Sequence, residues 1–240
     1  MSRRWSRITP AEIQYKYDIV NYLIGIKGYR KFLEVTTPVT GLKFAEVTNR
    51  VAKDRIWSRA SGSDDDGQAV TYRLHSDDAF SEIQKDGKHY DIIFVDGWHT
   101  FFQAEKDILN SLECLVDDGS LVVHDCNPPE ESHTGEPFSR SDDEWCGDVY
   151  QVIIKLRMTR QDLCICIVDT DFGCAVIQKR TSSPLTPPTG LGFEDMIRWE
   201  YFSQNRKRLL DLISTSEFLE RYPGHPSVWQ KLKARFTGSI

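Results

Sequence analysis

Two stretches, Tyr90-Asp-Ile-Ile-Phe-Val-Asp-Gly-Trp-His99 and Leu121-Val-Val-His-Asp-Cys-Asn-Pro-Pro129, decide how this chain folds. Each is an unbroken apolar run that stops at an acid. A parallel strand buried on both faces reads that way, whereas a half-exposed strand alternates. The acid ending such a strand lies at the carboxyl edge of the sheet, where open α/β folds bind their ligands. Between the two runs, residues 100–116 predict a helix with Phe101, Ile108, Leu109, Leu112 and Leu115 on one broad stripe. Asp96, His99, His124 and Asp125 are thereby set beside one another. Strand alternation turns His124 to the face opposite Asp125, so His124 reads as structural.

Working outward, the same alternation of strand and helix continues. Residues 12–26 carry apolar side chains at helical spacing, with Gly25 and Gly28 able to stop the helix. A first strand is expected over Phe32–Val35, a helix from Gly41 to about Val51, and a second strand over Arg55–Arg59. The polar run Ser61–Gly67 is a loop, followed by a third strand at Val70–Leu74 and a short helix at Asp77–Gln84. Beyond the fifth strand, residues 127–148 form a long loop of the kind that serves as a lid or binding loop. A helix over Val149–Arg160 leads to two strands, Leu163–Val168 and Cys174–Gln178, around the hairpin signal Asp169-Thr-Asp-Phe-Gly173. Residues 181–193 are a linker and Glu194–Tyr222 a helical tail. The pattern predicts a doubly wound α/β sheet with helices on both faces. Three segments follow: an N-terminal helical segment (1–28), an α/β domain (29–180), and a linker with a C-terminal helical tail packed on that domain (181–240).

Composition narrows the function classes. With 240 residues, 40% hydrophobic and 28% charged, the chain suits one globular domain with elaborated ends. A formal net charge of −6 argues against a nucleic-acid partner, because neutralising phosphates needs clustered Lys and Arg. The N-terminus, Met-Ser-Arg-Arg-Trp-Ser-Arg, lacks an apolar core behind it, and no run approaches a membrane span, so no membrane partner is expected. The six cysteines (114, 126, 146, 164, 166 and 174) form neither a Cys-x-x-Cys pair nor a zinc spacing. They read as reduced, buried residues of a cytoplasmic protein. Assembly as a homo-oligomer is compatible with the sequence.

Several segments together resemble the class I S-adenosylmethionine-dependent methyltransferases. They are Arg30-Lys-Phe-Leu-Glu-Val35, Leu74-His-Ser-Asp-Asp-Ala-Phe80, Asp91-Ile-Ile-Phe-Val-Asp-Gly-Trp-His99, His124-Asp-Cys-Asn-Pro-Pro129, Trp145-Cys-Gly-Asp-Val-Tyr150 and Asp169-Thr-Asp-Phe-Gly-Cys174. The nearest resemblance is to a small-molecule and glycan-associated group whose fourth and fifth strands end in Asp-Gly-x-His and His-Asp-Cys. It implies a Rossmann-like seven-stranded sheet with the last strand antiparallel, and S-adenosylmethionine as methyl donor. The cofactor contacts it implies are Glu34, Thr36, Gly41, Asp77 and Asp96. Two departures stand out. The family's Glu-x-Gly-x-x-x-Gly loop reads Glu34-Val-Thr-Thr-Pro-Val-Thr-Gly41 here, and the acid expected after the second strand is replaced by Ser58, Arg59 and Ala60.

Methyl transfer to a hydroxyl needs the acceptor proton removed, and an imidazole suits that task near neutrality. His99 is therefore the candidate general base, oriented by Asp96 or Asp125. The two acids also allow a second reading. With Asn127 and water they make an oxygen-rich site suited to Mg²⁺ or Ca²⁺; otherwise they cap loops and orient their neighbours. Asp77 could meet an adenine amino group or cap its helix. Glu130, His133, Trp98 and Trp145 could line an acceptor pocket. The leading function is O-methylation of a small hydroxylated or sugar-containing acceptor. The alternative is a catalytically inactive methyltransferase-like binding protein that has lost the usual cofactor site, motivated by Thr36, Pro38 and Arg59. A nucleotide-binding relative, with Arg59 on a phosphate, is disfavoured by the missing Gly-x-Gly-x-x-Gly.

Overall fold

The computed structural model describes residues 8–37, 46–57, 70–135 and 145–224. Seven strands form one sheet: β1 (Lys31–Thr36), β2 (Ala52–Trp57), β3 (Tyr90–Asp96), β4 (Leu115–Val123), β5 (Leu163–Val168), β6 (Cys174–Lys179) and β7 (Leu212–Ile213). Their order is β2-β1-β3-β4-β6-β5-β7. β2, β1, β3 and β4 run parallel, whereas β6 is antiparallel to both of its neighbours. This is the expected doubly wound, Rossmann-like sheet, with the β5–β6 hairpin where the sequence signals it.

Side chains alternate between two apolar layers, which is why the central strands read as continuous hydrophobic runs. Leu33, Val35, Ile93, Val95, Leu121 and Val123 face one layer. That layer contains side chains of α2 (Ser76–Lys85), α3 (Phe101–Cys114), α4 (Val149–Thr159) and α6 (Trp199–Leu210). Phe32, Ile92, Phe94 and Val122 face the other, with α1 (Lys16–Lys27) and α7 (Thr215–Arg221). A short helix, α5 (Phe193–Ile197), buries Met196 in the first layer. No disulfide joins any of the six cysteines. Among the described residues, no helix is long and apolar enough to cross a membrane.

Three local expectations are corrected. The helix read from residue 12 begins at Lys16, because Pro10–Glu12 form a 3-10 turn and Tyr15 is extended (φ −129°, ψ 158°). The third strand expected over residues 70–74 reduces to one bridge, Ile56 with Tyr72. The tail is not one helix. Asp211 adopts a left-handed conformation (φ 47°) that ends α6, and the chain then extends to pair Leu212 with Ile167 and Ile213 with Val168. That pairing covers the carboxyl end of the outer edge of β5. The helix expected from Gly41, together with Arg59 and the Ser61–Gly67 loop, lies outside the described residues.

Candidate active site

β1 and β3 end side by side, with Thr36 in register with Asp96. β4 ends at Val123 beside Val95, so His124 and Asp125 follow directly at the same carboxyl edge. The structure brings four sequence-predicted residues together there: Thr36, Asp96, His99 and Asp125. All are buried.

His99 is fixed by its backbone and its ring. Its Nδ1 donates to the Trp145 carbonyl at 2.6 Å, and its own carbonyl accepts from Asp148 N at 2.8 Å. Nε2 is thereby directed at the two acids, 3.5 Å from Asp96 Oδ1 and 3.3 Å from Asp125 Oδ2. Gly147 makes this clamp possible. It has φ +58°, and a Cβ there would lie 2.3 Å from the His99 carbonyl oxygen.

His124 corrects the sequence reading: it points into the site. Asp125 has φ 59°, which breaks the strand's two-residue alternation immediately after β4. Consecutive side chains then converge, and His124 Nδ1 lies 2.9 Å from Asp125 Oδ2 and 3.4 Å from Asp96 Oδ1. The other ring nitrogen, Nε2, faces Asp171 Oδ2 at 3.4 Å. Asp171 belongs to the β5–β6 turn, where Asp171, Phe172 and Gly173 all have positive φ (47°, 58° and 85°). Among the described residues, three of the four non-glycine residues with positive φ (Asp125, Asp171 and Phe172) lie in this edge of the sheet. Such conformations persist where surrounding structure imposes them, and they cluster at functional sites.

Sequence reasoning missed Lys16. Its ammonium donates to Asp96 Oδ2 at 2.6 Å, and its backbone N–H donates to Asp171 Oδ2 at 2.9 Å. Lys16 opens α1, eighty residues before its partner, and nothing local to it signals the pairing. The cluster thus sets three carboxylates against one ammonium and two imidazoles. Burial alone would raise the Asp96 carboxyl, but Lys16 and His124 hold it well below the usual carboxylate range. Burial lowers the proton affinity of both imidazoles. The neighbouring carboxylates, Asp125 foremost, outweigh it, raising His99 above its ordinary value and His124 far above.

The remaining predicted residues lie elsewhere. Glu34 ends no open pocket: its carboxylate takes the Tyr17 hydroxyl at 2.6 Å and meets Arg55 Nε at 3.0 Å, with both side chains of the ion pair fully buried. Burial pushes Glu34 up to about 7, against the opposing pull of Arg55 and Tyr17. Asp77 sits in the first turn of α2, half-buried, held by Gln103 at 3.0 Å and Lys106 at 2.8 Å. His75, not Asp77, caps that helix by accepting from Asp77 N. Asn127 turns away from the acids. Its amide donates to Asp169 Oδ1 at 3.0 Å, and its oxygen accepts from Arg206 at 2.8 Å. These residues, with Asp171 and Phe172, line a cavity of about 540 Å³. Trp145 lies against His99, with ring centroids 5.4 Å apart. His133 is buried near Phe172, while Trp98 and Glu130 are exposed. Gly41 lies outside the described residues.

Residues 24–126 match a family model described as a methyltransferase domain. That span includes Glu34, Asp77, Asp96, His99 and Asp125; β5 to α7 lie beyond it. No curated protein matches the chain. Among solved structures, a methyltransferase from Podospora anserina bound to S-adenosylhomocysteine aligns with a TM-score of 0.50 at 12% identity, covering 69% of this chain and 78% of that one. An O-methyltransferase from Bacillus cereus, in complex with the same molecule, gives 0.46 at 14% identity, covering 72% and 83%. An O-methyltransferase from Streptomyces achromogenes, in complex with S-adenosylmethionine, gives 0.47 at 14% identity, covering 69% and 79%. At these identities the first of these likenesses speaks for the fold, in agreement with the sheet order.

Proposed function

We propose that this protein, built around a methyltransferase domain on a Rossmann-like sheet, is an S-adenosylmethionine-dependent O-methyltransferase. Its acceptor would be a small hydroxylated or sugar-containing molecule. The observation that carries this reading is the aim of His99: an imidazole tethered through Nδ1, with Nε2 turned into a buried carboxyl-edge cluster.

S-adenosylmethionine, when bound, supplies an electrophilic methyl group on a sulfonium. His99 Nε2 would take the proton of the acceptor hydroxyl as that oxygen takes the methyl group, the cofactor being released as its neutral thioether. The carboxylates of Asp96 and Asp125 orient the ring and stabilise the imidazolium it becomes. By raising the proton affinity of His99 they make it a stronger base, and its deprotonated fraction grows above neutrality. Much of the remaining rate gain would come from holding acceptor and methyl in line.

The proposed cofactor contacts are Glu34, Thr36, Gly41, Asp77 and Asp96. Thr36 and Asp96 share the end of the sheet, and Asp77 is exposed enough to meet a purine amino group. Glu34 is committed to Arg55 and Tyr17, so it would act by shaping the strand end. Lys16, whose ammonium is bound to Asp96, would also meet a ligand carboxylate placed there. The cavity beside Asp171 offers Asp, Asn, Thr and Arg side chains and one phenyl face, a lining suited to hydroxyl groups.

Titration calorimetry with S-adenosylmethionine tests the reading, followed by methyl transfer from labelled cofactor to a panel of polyols and glycosides. His99→Ala is expected to lower kcat by about 10²–10⁴ with cofactor affinity retained. Folded protein that binds no cofactor at millimolar concentration would end the enzyme reading.

A further inference from the structure

The acids of this site do not fit the Mg²⁺ or Ca²⁺ site read from the sequence. Hard ions take six or more oxygen ligands, and that reading draws its third protein oxygen from Asn127. The Asn127 oxygen accepts instead from Arg206 at 2.8 Å, and its amide donates to Asp169 at 3.0 Å. Cys126, which follows Asp125, turns its thiol back onto the Val123 and His124 carbonyls at 3.3 and 3.4 Å. The donors next along the chain are thus committed elsewhere.

We propose that the cation of this site is built in: the Lys16 ammonium stands where a divalent ion would, and no metal is needed there. The ammonium lies 2.6 Å from Asp96 Oδ2. A divalent ion on that same oxygen would sit roughly 2.0–2.6 Å from it, so ion and ammonium compete for one place and repel each other there. Lys16 is also fixed by its backbone. Its N–H donates to Asp171 Oδ2 at 2.9 Å, and the Thr170 hydroxyl donates to the Gln14 carbonyl at 2.9 Å. These two bonds hold the start of α1 on the β5–β6 turn, and from there the side chain reaches Asp96.

The other oxygens face imidazole. Asp125 Oδ2 lies between His124 Nδ1 at 2.9 Å and His99 Nε2 at 3.3 Å. Asp96 Oδ1 lies between the same two nitrogens, at 3.4 and 3.5 Å. His124 has a carboxylate oxygen on each side, because its Nε2 faces Asp171 Oδ2 at 3.4 Å. A ring flanked in this way donates from both nitrogens, and a nitrogen carrying its proton has no lone pair for a metal. An ammonium has three N–H donors, and the two not given to Asp96 can meet the oxygens of a ligand. Lys16 is thereby a positioning residue: it fixes Asp96, which faces His99 in turn.

The inference concerns the cation and does not depend on methyl transfer, so either can fail without the other. The full chain and Lys16→Met are stripped with chelator and dialysed against millimolar Mg²⁺, Ca²⁺, Mn²⁺, Co²⁺ or Zn²⁺ separately. Each sample is assayed for bound metal and melted with and without the ion. The native chain is expected to hold no stoichiometric metal and to melt at the same temperature throughout. Lys16→Met vacates the place and leaves Asp96, His124 and Asp125, whose donor atoms lie within 4.8 Å of one another. It is expected to take up one Mn²⁺ or Co²⁺ per chain and to melt higher with that ion, since a ligand that binds only the folded state stabilises it. Circular dichroism checks that Lys16→Met is folded; if it is not, the metal content and melting of the native chain decide alone. One ion per native chain, with a melting temperature raised by that ion, overturns the proposal. So does a folded Lys16→Met that binds no more metal than the native chain, because the ammonium would then be excluding nothing.

Discussion

Replacing Asp107 by asparagine should make this protein more stable at pH 8 and leave it unchanged near pH 4. Asp107 lies on α3, is 1% exposed and, among the described residues, makes no ion pair. Gln103 Nε2 donates to its Oδ1 at 3.0 Å, and its Oδ2 lies 3.1 Å from where a Cβ on Gly97 would sit. Burial pushes this carboxyl from 3.8 up to about 6, against the hydrogen bonds from Ser76 and Gln103. A folded-state value above the unfolded one means that the fold prefers the protonated acid. That preference is fully present below the unfolded value and is lost as pH rises through the folded one. Two units at 1.36 kcal/mol each give about 3 kcal/mol, forfeited between roughly pH 4 and 6. Asparagine keeps the shape and the acceptor for Gln103 but does not ionise. The gap between Asp107→Asn and the native chain should therefore open from near zero at pH 4 to as much as about 3 kcal/mol at pH 8. Urea titrations at intervals across that range, read at constant m-value, measure it. A gap that does not vary with pH, or a variant less stable than the native chain at pH 8, refutes the reasoning. A stability cost of this kind belongs with function: Gln103 joins Asp107 to Asp77 and Ser76 at the rim of the proposed cofactor site.

Arg55→Leu strands the buried Glu34 carboxylate and should cost about 3–5 kcal/mol in urea unfolding at pH 8, most of it recovered by adding Glu34→Leu; additive losses from the two changes would count against the pairing. Gly147→Ala places a methyl against the His99 carbonyl and should cost about 1–3 kcal/mol. Its larger effect should be on turnover, since a 1 Å shift of a catalytic group can cost about a hundredfold; a variant with native kcat would show that the clamp does not set His99. Lys16→Met removes the ammonium from Asp96 and should lower stability by about 3 kcal/mol, measured by urea titration at pH 8, whereas a change below 0.5 kcal/mol, the scale of about an exposed pair, would mean that Lys16 is solvated rather than structural.

Much of the fold is legible in the sequence because burial on both faces leaves an unmistakable trace. Tyr90–Asp96 and Leu121–Val123 are apolar without interruption, and each stops at the sheet edge, which places Asp96, His99 and Asp125 together without any three-dimensional information. What stays hidden depends on backbone sign or on distance along the chain. Nothing in the letters His124-Asp125 shows that the aspartate takes φ 59°, so the histidine is assigned to the wrong face. Lys16 reads as one more polar residue of the first helix, although its partner is Asp96. Asn127 looks like an oxygen donor for the acids, but Arg206, in the distant tail, claims it. β7 is two residues long and sits between helices, too short for any periodicity to register.

That two-residue segment has a consequence for anyone shortening the chain. Leu212 and Ile213 pair with the Ile167–Val168 end of β5, on an outer edge whose amides and carbonyls would otherwise lie bare there. A version ending at Leu210 would present this rim to solution, and a second molecule could zip onto it. Trimming what looks like a dispensable helical appendage would thus add a route to self-association.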